Sequence, residues 1–372
     1  MGGTRMSHFD RGFWESSKNS IQSNPFTEGL LKSIHLTISE LELSGKIILS
    51  TSGTSSSPKL SVISKHAMLF SASSVNRHLS ICSSDKWLCC LPTAHVSGLS
   101  IHARAFLSES DLIESTSKWA PLDFIKNINH NQITLCSLVP TQLYDLLSSD
   151  QRPNPELRAL IIGGDNLNDE AHNKAVELGW PILLTYGMTE TCSQIATETY
   201  TGQGMEPLDL WDINFNSEGE LLVKGDALFD GYLVHKENNL RMINPFSDDG
   251  WFLTGDIGNL HDNIISISGR KDEQVKVLGE KINLKHLRSS ATSMYGHSIT
   301  LLAVPDSRKG KKIIMVAEKS SDHDRFFKEY NSKATSIERA DELILIDKIP
   351  RSSLGKLALN ELYDILEKRI EA

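Results

Sequence analysis

Hydrophobic residues in this chain gather into short unbroken runs that alternate with stretches of helical spacing. The apolar runs fall at 46–50, 87–91, 133–139, 157–162 and 181–185. Runs of this length with little polar alternation are what strands buried on both faces look like, and such strands belong to parallel sheets. Between them, apolar positions recur at helical spacing over 66–79, 121–129, 141–147 and 170–178. Strand and helix in alternation predict an α/β domain around a mostly parallel sheet, with functional groups at the carboxyl ends of its strands. Residues 1–45 show only weak periodicity.

After Tyr200 the pattern changes to shorter strands bounded by Gly and Asp, at 219–225 and 263–267, which predicts antiparallel β structure appended to the sheet domain. Further strands at 299–304, 312–318 and 343–346, with a last helix at 357–370, predict a compact α+β segment. The expected division is therefore a large domain at 1–271 and a small, mobile α+β domain at 272–372. There is no internal repeat and no long low-complexity tract.

Charge narrows the partners. A formal net charge of −9 repels phosphate backbones and anionic lipid, so neither nucleic acid nor membrane is an expected partner, and small molecules are. No apolar run approaches the ~20 residues that span a bilayer, and no basic-then-apolar leader opens the chain, so a cytoplasmic protein is expected. The five cysteines, Cys82, Cys89, Cys90, Cys136 and Cys192, form no Cys-x-x-Cys pair, and three sit in apolar stretches. They read as reduced core residues.

Against this frame five short motifs stand in fixed order: Thr51-Ser-Gly-Thr-Ser-Ser-Ser-Pro-Lys59, Tyr186-Gly-Met-Thr-Glu190, Gly250-Trp-Phe-Leu-Thr-Gly-Asp256, Gly269-Arg-Lys-Asp272 and Pro350-Arg-Ser-Ser-Leu-Gly-Lys356. The first follows a predicted strand. Its small and hydroxyl residues, Thr51, Ser52, Gly53 and Thr54 among them, suit a backbone folded around phosphate oxygens, with Lys59 supplying positive charge. The same stretch also reads as a flexible serine-rich linker, and it lacks the spacing of a Walker loop. Glu190 has the hard oxygens that Mg2+ prefers, although Thr189 and Glu190 equally suit a helix N-terminus. Asp256 offers acceptors for a ribose diol or is an ordinary turn aspartate. Arg270 can reach ribose or phosphate with a planar fork of donors.

Taken together, these motifs resemble the acyl-adenylate-forming superfamily, over about 46–356. Within it, Leu91-Pro-Thr-Ala-His-Val-Ser-Gly-Leu-Ser-Ile-His-Ala-Arg104 and Tyr186-Gly-Met-Thr-Glu-Thr-Cys-Ser-Gln194 look most like the o-succinylbenzoate-CoA ligases of menaquinone biosynthesis. The resemblance implies an AMP-forming acid–thiol ligase with ATP and CoA as co-substrates, Mg2+, and an aromatic carboxylic acid as substrate. By the same resemblance Lys59 grips the β and γ phosphates, Glu190 holds Mg2+, Thr189 touches the α-phosphate, and Asp256 with Arg270 fixes the ribose. Gly163, Gly164 and Asp165 match the segment on adenine, beside Tyr186 and Gly187. Lys356 matches the adenylation lysine, although its position near a terminal helix also suits an ordinary solvated lysine. Asp272 matches a hinge, and Lys276 and Gly279 match the stretch that lines the pantetheine tunnel.

For the acid, the resemblance brings His95 near the entering carboxylate and Arg104 to the aromatic acid's pocket, with Ser193 and Gln194 as further polar contacts. Arg104 also reads as a surface ion-pair partner. Two departures stand out. Ser56 and Leu60 replace glycines usual in the family's phosphate loop, and only fifty residues precede Thr51, fewer than in most relatives. A sheet face left uncovered by that short start would be covered by a homo-oligomer. The competing functions are a ligase for another aryl or acyl acid, an adenylating enzyme that loads a carrier protein, and a non-catalytic nucleotide or acyl binder.

Overall fold

The structure, a computed structural model, describes residues 9–50, 59–115, 118–236, 239–306, 308–319, 322–351 and 357–370. Its largest sheet has seven strands, ordered Glu206–Pro207, Ser193–Thr197, Ile182–Met188, Ala159–Ile162, Leu135–Leu138, Lys86–Cys89 and Asp111–Glu114. The five from Ile182–Met188 to Asp111–Glu114 are parallel, and Ser193–Thr197 turns back antiparallel to Ile182–Met188. Parallel neighbours need crossover segments, and the helices Val96–Ser108, Pro121–His130, Pro140–Leu147 and Asp169–Glu177 provide them. Pro121 and Pro140 open their helices, where a missing N–H costs nothing, and Asn168 caps the last by accepting from Ala171 N.

Burial follows the apolar runs. Leu88, Cys136, Leu138, Leu160, Ile162 and Ile182 pack with Phe124, Ile128, Leu143, Leu146 and Trp180 in one cluster. Each fully buried side chain of this size contributes about 1.5–3 kcal/mol. Asp85 ties the strands at their amino ends. It accepts from Arg158, at 2.7 Å, from Thr134 Oγ1 and from Cys82 N. Burial pushes the Asp85 carboxyl up, but the bonds from Arg158, Cys82 and Thr134 outweigh it and hold the pKa below its ordinary value. All five cysteines are free, with Cys89, Cys136 and Cys192 buried.

The run Lys46–Ser50 is a strand, but not of that parallel sheet. It belongs to a five-stranded sheet ordered Ser20–Ile21, Lys46–Ser50, Leu60–Ser64, Gly231–Lys236 and Asn239–Ile243. It runs parallel to Ser20–Ile21 and antiparallel to Leu60–Ser64. Leu60–Ser64 therefore lies beside it as an antiparallel neighbour, and the helix Lys65–His78 starts only after that second strand. The extra strand forms because Leu60 and Val62 bury against Ile34, Ile48, Leu233 and Leu240. Ile34 lies on the helix Pro25–Glu40, whose weak periodicity has a physical cause: Leu31 and Leu36 are exposed, so apolar residues spread around the helix. The Lys65 ammonium is buried, where it donates to Phe13 O, Ser16 O and Ser16 Oγ and fastens the first helical turn, Arg11–Trp14.

A four-stranded sheet runs in the order Asp212–Phe215, Glu220–Lys224, Phe252–His261, Ile264–Arg270. Then come the hairpin Gln274–Val277/Glu280–Asn283 and a three-stranded sheet, Ile299–Asp306, Gly310–Glu318 and Ala340–Ile346, with helices Leu284–Tyr295, His323–Lys333 and Leu359–Ile370. Strand alternation divides the sheet's side chains between two cores. Leu301, Ala303, Ile313 and Met315 face one, and Leu302, Ile314, Val316 and Ile346 face the other. The chain forms two compact units. One takes in the described residues up to Asn214 with Leu222–Leu253 and Leu260–Ile265; the other takes in Phe215–Leu221, Thr254–Asn259 and the described residues from Ser266 on. No helix of the described residues is long and apolar enough to cross a membrane.

Candidate active site

In the first unit the site is built where the parallel strands end. Strand Ile182–Met188 continues through Tyr186 and Gly187, with a register shift between them where it pairs with Ser193–Thr197. A Cβ on Gly187 would lie 1.7 Å from Ser193 O, so only glycine lets the two backbones approach this closely. A 3-10 turn, Thr189–Thr191, follows, and Thr191 Oγ1 closes it by accepting from Met188 N at 3.2 Å. Cys192 and Ser193 leave the turn with φ of 54° and 122°, both on the left-handed side, a conformation that non-glycine residues hold at a cost of about 1–3 kcal/mol each.

This turn presents Glu190. Its Oε1 accepts from the Tyr232 hydroxyl at 2.7 Å, and its main-chain oxygen accepts from Phe229 N at 2.9 Å. The Lys59 ammonium lies 5.0 Å from the centre of the same tyrosine ring. Lys59 and Glu190, 131 positions apart in sequence by their numbers, are thus joined through Tyr232, a residue the motif reading missed. The available signal was the pair Gly231-Tyr232: Gly231 has φ 142°, and a Cβ there would meet Ile243 O at 2.5 Å.

Gly163, Gly164 and Asp165 leave the end of strand Ala159–Ile162, which pairs with Ile182–Met188, so they and Tyr186 share one edge of the sheet. A Cβ on Gly163 would meet Thr185 Cγ2 at 2.7 Å, and Gly164 has φ 91°. Asp165 is exposed and accepts from Asn166 N.

Arg104 is not on the surface. It is 2% exposed within the helix Val96–Ser108 and donates from Nη2 to Ser193 Oγ at 3.0 Å. Among the described residues its buried Nε has no hydrogen-bond partner. Burial alone pulls its pKa down to about 9, still high enough to keep the charge at neutral pH. His95 caps the same helix, where its main-chain oxygen accepts from Leu99 N. Nine residues of helix place the backbones of His95 and Arg104 roughly 13 Å apart along the axis. Gln194 is buried, and its Oε1 accepts from Thr197 Oγ1 at 2.8 Å.

The second unit holds Asp256, Arg270, Asp272, Lys276 and Gly279. Asp256 is buried, its N–H donating to Thr254 Oγ1, and its Oδ1 lies 3.5 Å from Arg270 Nη1. Arg270 Nε donates to Asp272 Oδ1 at 2.9 Å. Burial pulls the Arg270 pKa down, but Asp256 and Asp272 outweigh it and raise it overall. A Cβ on Gly255 would come within 2.9 Å of Arg270 Nη2, so the glycine makes room for the guanidinium. The turn Lys271–Glu273 is pinned further by Lys271 on Glu218 and Glu220 and by the half-buried pair Glu273–Arg288 at 2.9 Å. Lys276 is exposed on its strand, and Leu278 with Gly279, φ 53° and 87°, forms the tight hairpin turn. Thr51, Ser52, Gly53, Thr54 and Lys356 lie outside the described residues.

Among the described residues no three His, Cys, Asp or Glu side chains cluster as a metal cage. A single carboxylate, Glu190, linked through Tyr232 to a lysine, fits Mg2+ carried by a phosphate ligand, since Mg2+ takes one or two protein carboxylates and fills its shell with phosphate oxygens and water.

Among known proteins this chain is similar to acid–CoA ligases. The 2-succinylbenzoate–CoA ligase of Bacillus licheniformis is 28% identical over 363 residues, covering 91% of this chain and 72% of the relative. The o-succinylbenzoate CoA synthetase of Bacillus subtilis, solved with the acyl-adenylate intermediate OSB-AMP, superposes with a TM-score of 0.74 at 26% identity, over 85% of this chain and 68% of that one. The same enzyme with ATP and magnesium ion also gives 0.74 at 26% identity, over 86% and 70%. The family model described as AMP-binding enzyme matches residues 46–233, half of the chain. From that match, over the strands and turns that hold Lys59, Arg104, Glu190 and Tyr232, it follows that this chain belongs to the AMP-binding enzyme family.

Proposed function

We propose that this protein is an ATP-dependent 2-succinylbenzoate–CoA ligase. The substrate carboxylate attacks the α-phosphorus of ATP and expels pyrophosphate, giving the acyl-adenylate. The CoA thiol then attacks the acyl carbon and expels AMP, leaving the thioester and releasing the thiol proton to water. The first step brings an anion to a polyanion, so the protein's contribution is charge neutralisation and alignment. Lys59 and the hydroxyl loop Thr51, Ser52, Gly53 and Thr54 take the outer phosphates. Glu190 holds Mg2+, which when bound neutralises phosphate charge, and Thr189 meets the α-phosphate. Gly163, Gly164 and Asp165 lie on adenine beside Tyr186 and Gly187. Asp256 with Arg270 takes the ribose, His95 lies near the carboxylate, and Lys356 bridges carboxylate and phosphate. The functional division falls at Asp272, with Lys276 and Gly279 serving CoA.

The observation that carries the choice of substrate is Arg104, a buried guanidinium that donates to the neutral Ser193 hydroxyl. A buried cation calls for an anion, and a dicarboxylate offers one carboxylate to Arg104 while the other reacts. The names of the relatives point to the same acid. Purified protein with 2-succinylbenzoate, ATP, Mg2+ and CoA is expected to yield thioester and AMP in equal amounts. Thioester from benzoate or a fatty acid, with none from 2-succinylbenzoate, would remove the assignment.

A further inference from the structure

Tyr232 stands between the two charged groups assigned to the triphosphate. Its hydroxyl donates to Glu190 Oε1 at 2.7 Å, and its ring centre lies 5.0 Å from Lys59 Nζ. The placement is built into the sheet. Tyr232 pairs with Ser61 on the strand that begins just after Lys59, and with Ile243 on its other side. Phe229 packs edge-on against its ring at 4.7 Å, and the Phe229 N–H holds the main chain of Glu190 at 2.9 Å. One segment, 229–232, therefore grips Glu190 at both ends and fixes the ring beside Lys59. A glutamate has three side-chain torsions, and a hydrogen bond to one oxygen fixes the carboxylate for a hard cation. A ring face attracts an ammonium by about 0.5–1 kcal/mol at exposed sites, enough to bias where the lysine rests.

We propose that Tyr232 is a positioning residue that sets the Glu190 carboxylate for Mg2+ and seats the Lys59 ammonium beside it, so that both reach one triphosphate in a fixed relation. The proposal rests on the reading that this site takes Mg–ATP. The hydroxyl and the ring have separable tasks: Tyr232→Phe removes the first and keeps the second, and Tyr232→Leu removes both.

The test is calorimetric titration of ATP binding across Mg2+ concentrations, with pyrophosphate release on 2-succinylbenzoate measured alongside. In Y232F the Mg2+ concentration for half-maximal ATP binding rises about tenfold, the usual effect of losing a partner of a metal ligand, while ATP affinity at saturating Mg2+ stays within about twofold of wild type. In Y232L that affinity falls as well. A Y232F curve that overlays wild type, or a loss equal at every Mg2+ concentration, overturns the proposal. If Y232F does not fold, Glu190→Gln with the tyrosine in place must itself raise the Mg2+ requirement, and wild-type behaviour there overturns the proposal too. Failure of the functional reading looks different: wild type would bind Mg–ATP yet release no pyrophosphate with 2-succinylbenzoate.

Discussion

Arg104 Nη2 donates to Ser193 Oγ at 3.0 Å, and that bond joins the interior of a helix to a turn held by two successive residues of positive φ. Cys192 and Ser193 hold their positive φ at a cost of about 1–3 kcal/mol each, and the bond to Arg104 leaves from this turn.

The first prediction follows from the charge. Arg104→Lys keeps a cation but loses the planar fork, and Arg104→Met loses the charge. Hydrogen bonds to charged groups are worth about 1.5–3 kcal/mol, so Arg104→Lys raises the KM for 2-succinylbenzoate roughly tenfold or more and leaves the KM for ATP near wild type. Arg104→Met abolishes saturation by the acid, yet its melting temperature equals or exceeds wild type, because an apolar side chain of similar length replaces a buried charge. Steady-state kinetics and a thermal melt separate these effects. A lower melting temperature with an unchanged KM would make Arg104 a structural residue.

Gly187→Ala is a steric prediction. Its Cβ would lie 1.7 Å from Ser193 O and 2.7 Å from Gln194 Cα, both backbone atoms that cannot rotate away. Overpacking of this kind costs about 3 kcal/mol or more, and denaturant unfolding should show a lowered midpoint. Gly279→Ala, in an open hairpin turn with no atom within 4 Å, loses about 1 kcal/mol from its positive φ alone. Equal losses in the two variants would contradict the close approach at Gly187.

Much of this site can be read from sequence because its residues follow buried strands, and a buried strand announces itself by composition. Gly163 follows one such strand, Tyr186 and Gly187 form the end of another, and Glu190 lies in the turn after it. The direction in which a strand pairs leaves no such mark: Lys46–Ser50 has the composition of a parallel strand, and only the return strand Leu60–Ser64 makes it antiparallel to its neighbour. Tyr232 is invisible for a related reason, since its partner Glu190 is 42 positions away. Arg104 looks like a surface residue until Leu99, Ile101 and Ala103 around it are seen to be buried. Of the adjacent pair, Ser193 meets Arg104 and Gln194 meets Thr197, partners that motif spacing alone does not reveal.

His102 gives a pH prediction. The ring is buried on the helix Val96–Ser108, with Nε2 3.3 Å from Glu114 Oε1, and burial lowers its pKa from 6.5 to about 4. Between those values the unfolded chain binds the proton and the folded one does not, so stability rises with pH through this window and is lost on acidification. The loss from pH 7 to pH 4 is up to about 3 kcal/mol from this group, lessened where the Glu114 carboxylate attracts the protonated ring. His102→Phe removes that part of the slope. Parallel stability curves for the two proteins between pH 4 and pH 7 would rule the mechanism out.

Asp256→Asn tests the nucleotide half of the proposal. The amide keeps the shape and removes the charge that, with Asp272, raises the Arg270 pKa. Loss of a charged acceptor for the ribose, at about 1.5–3 kcal/mol, raises the KM for ATP roughly tenfold or more and leaves the KM for the acid unchanged. An unchanged KM for ATP would return Asp256 to the role of a turn residue paired with Arg270.

Lys356 carries the sharpest kinetic prediction, because the two half-reactions make opposite demands on it. An ammonium bridging carboxylate and phosphate stabilises charge that gathers when the acid attacks ATP. Once the acyl-adenylate exists, that charge has left with pyrophosphate, and thiol attack on the acyl carbon has no use for the same contact. Lys356→Ala should therefore reduce pyrophosphate release by about a hundredfold or more, the scale of removing one preorganised charge-stabilising donor. Thioester formation from supplied acyl-adenylate and CoA should stay within a few-fold of wild type. Measuring both on the same preparation controls for folding, since a misfolded variant fails both assays. Equal losses in a variant that melts like wild type would mean that Lys356 serves both steps or neither, and the adenylation role would have to pass to another cation.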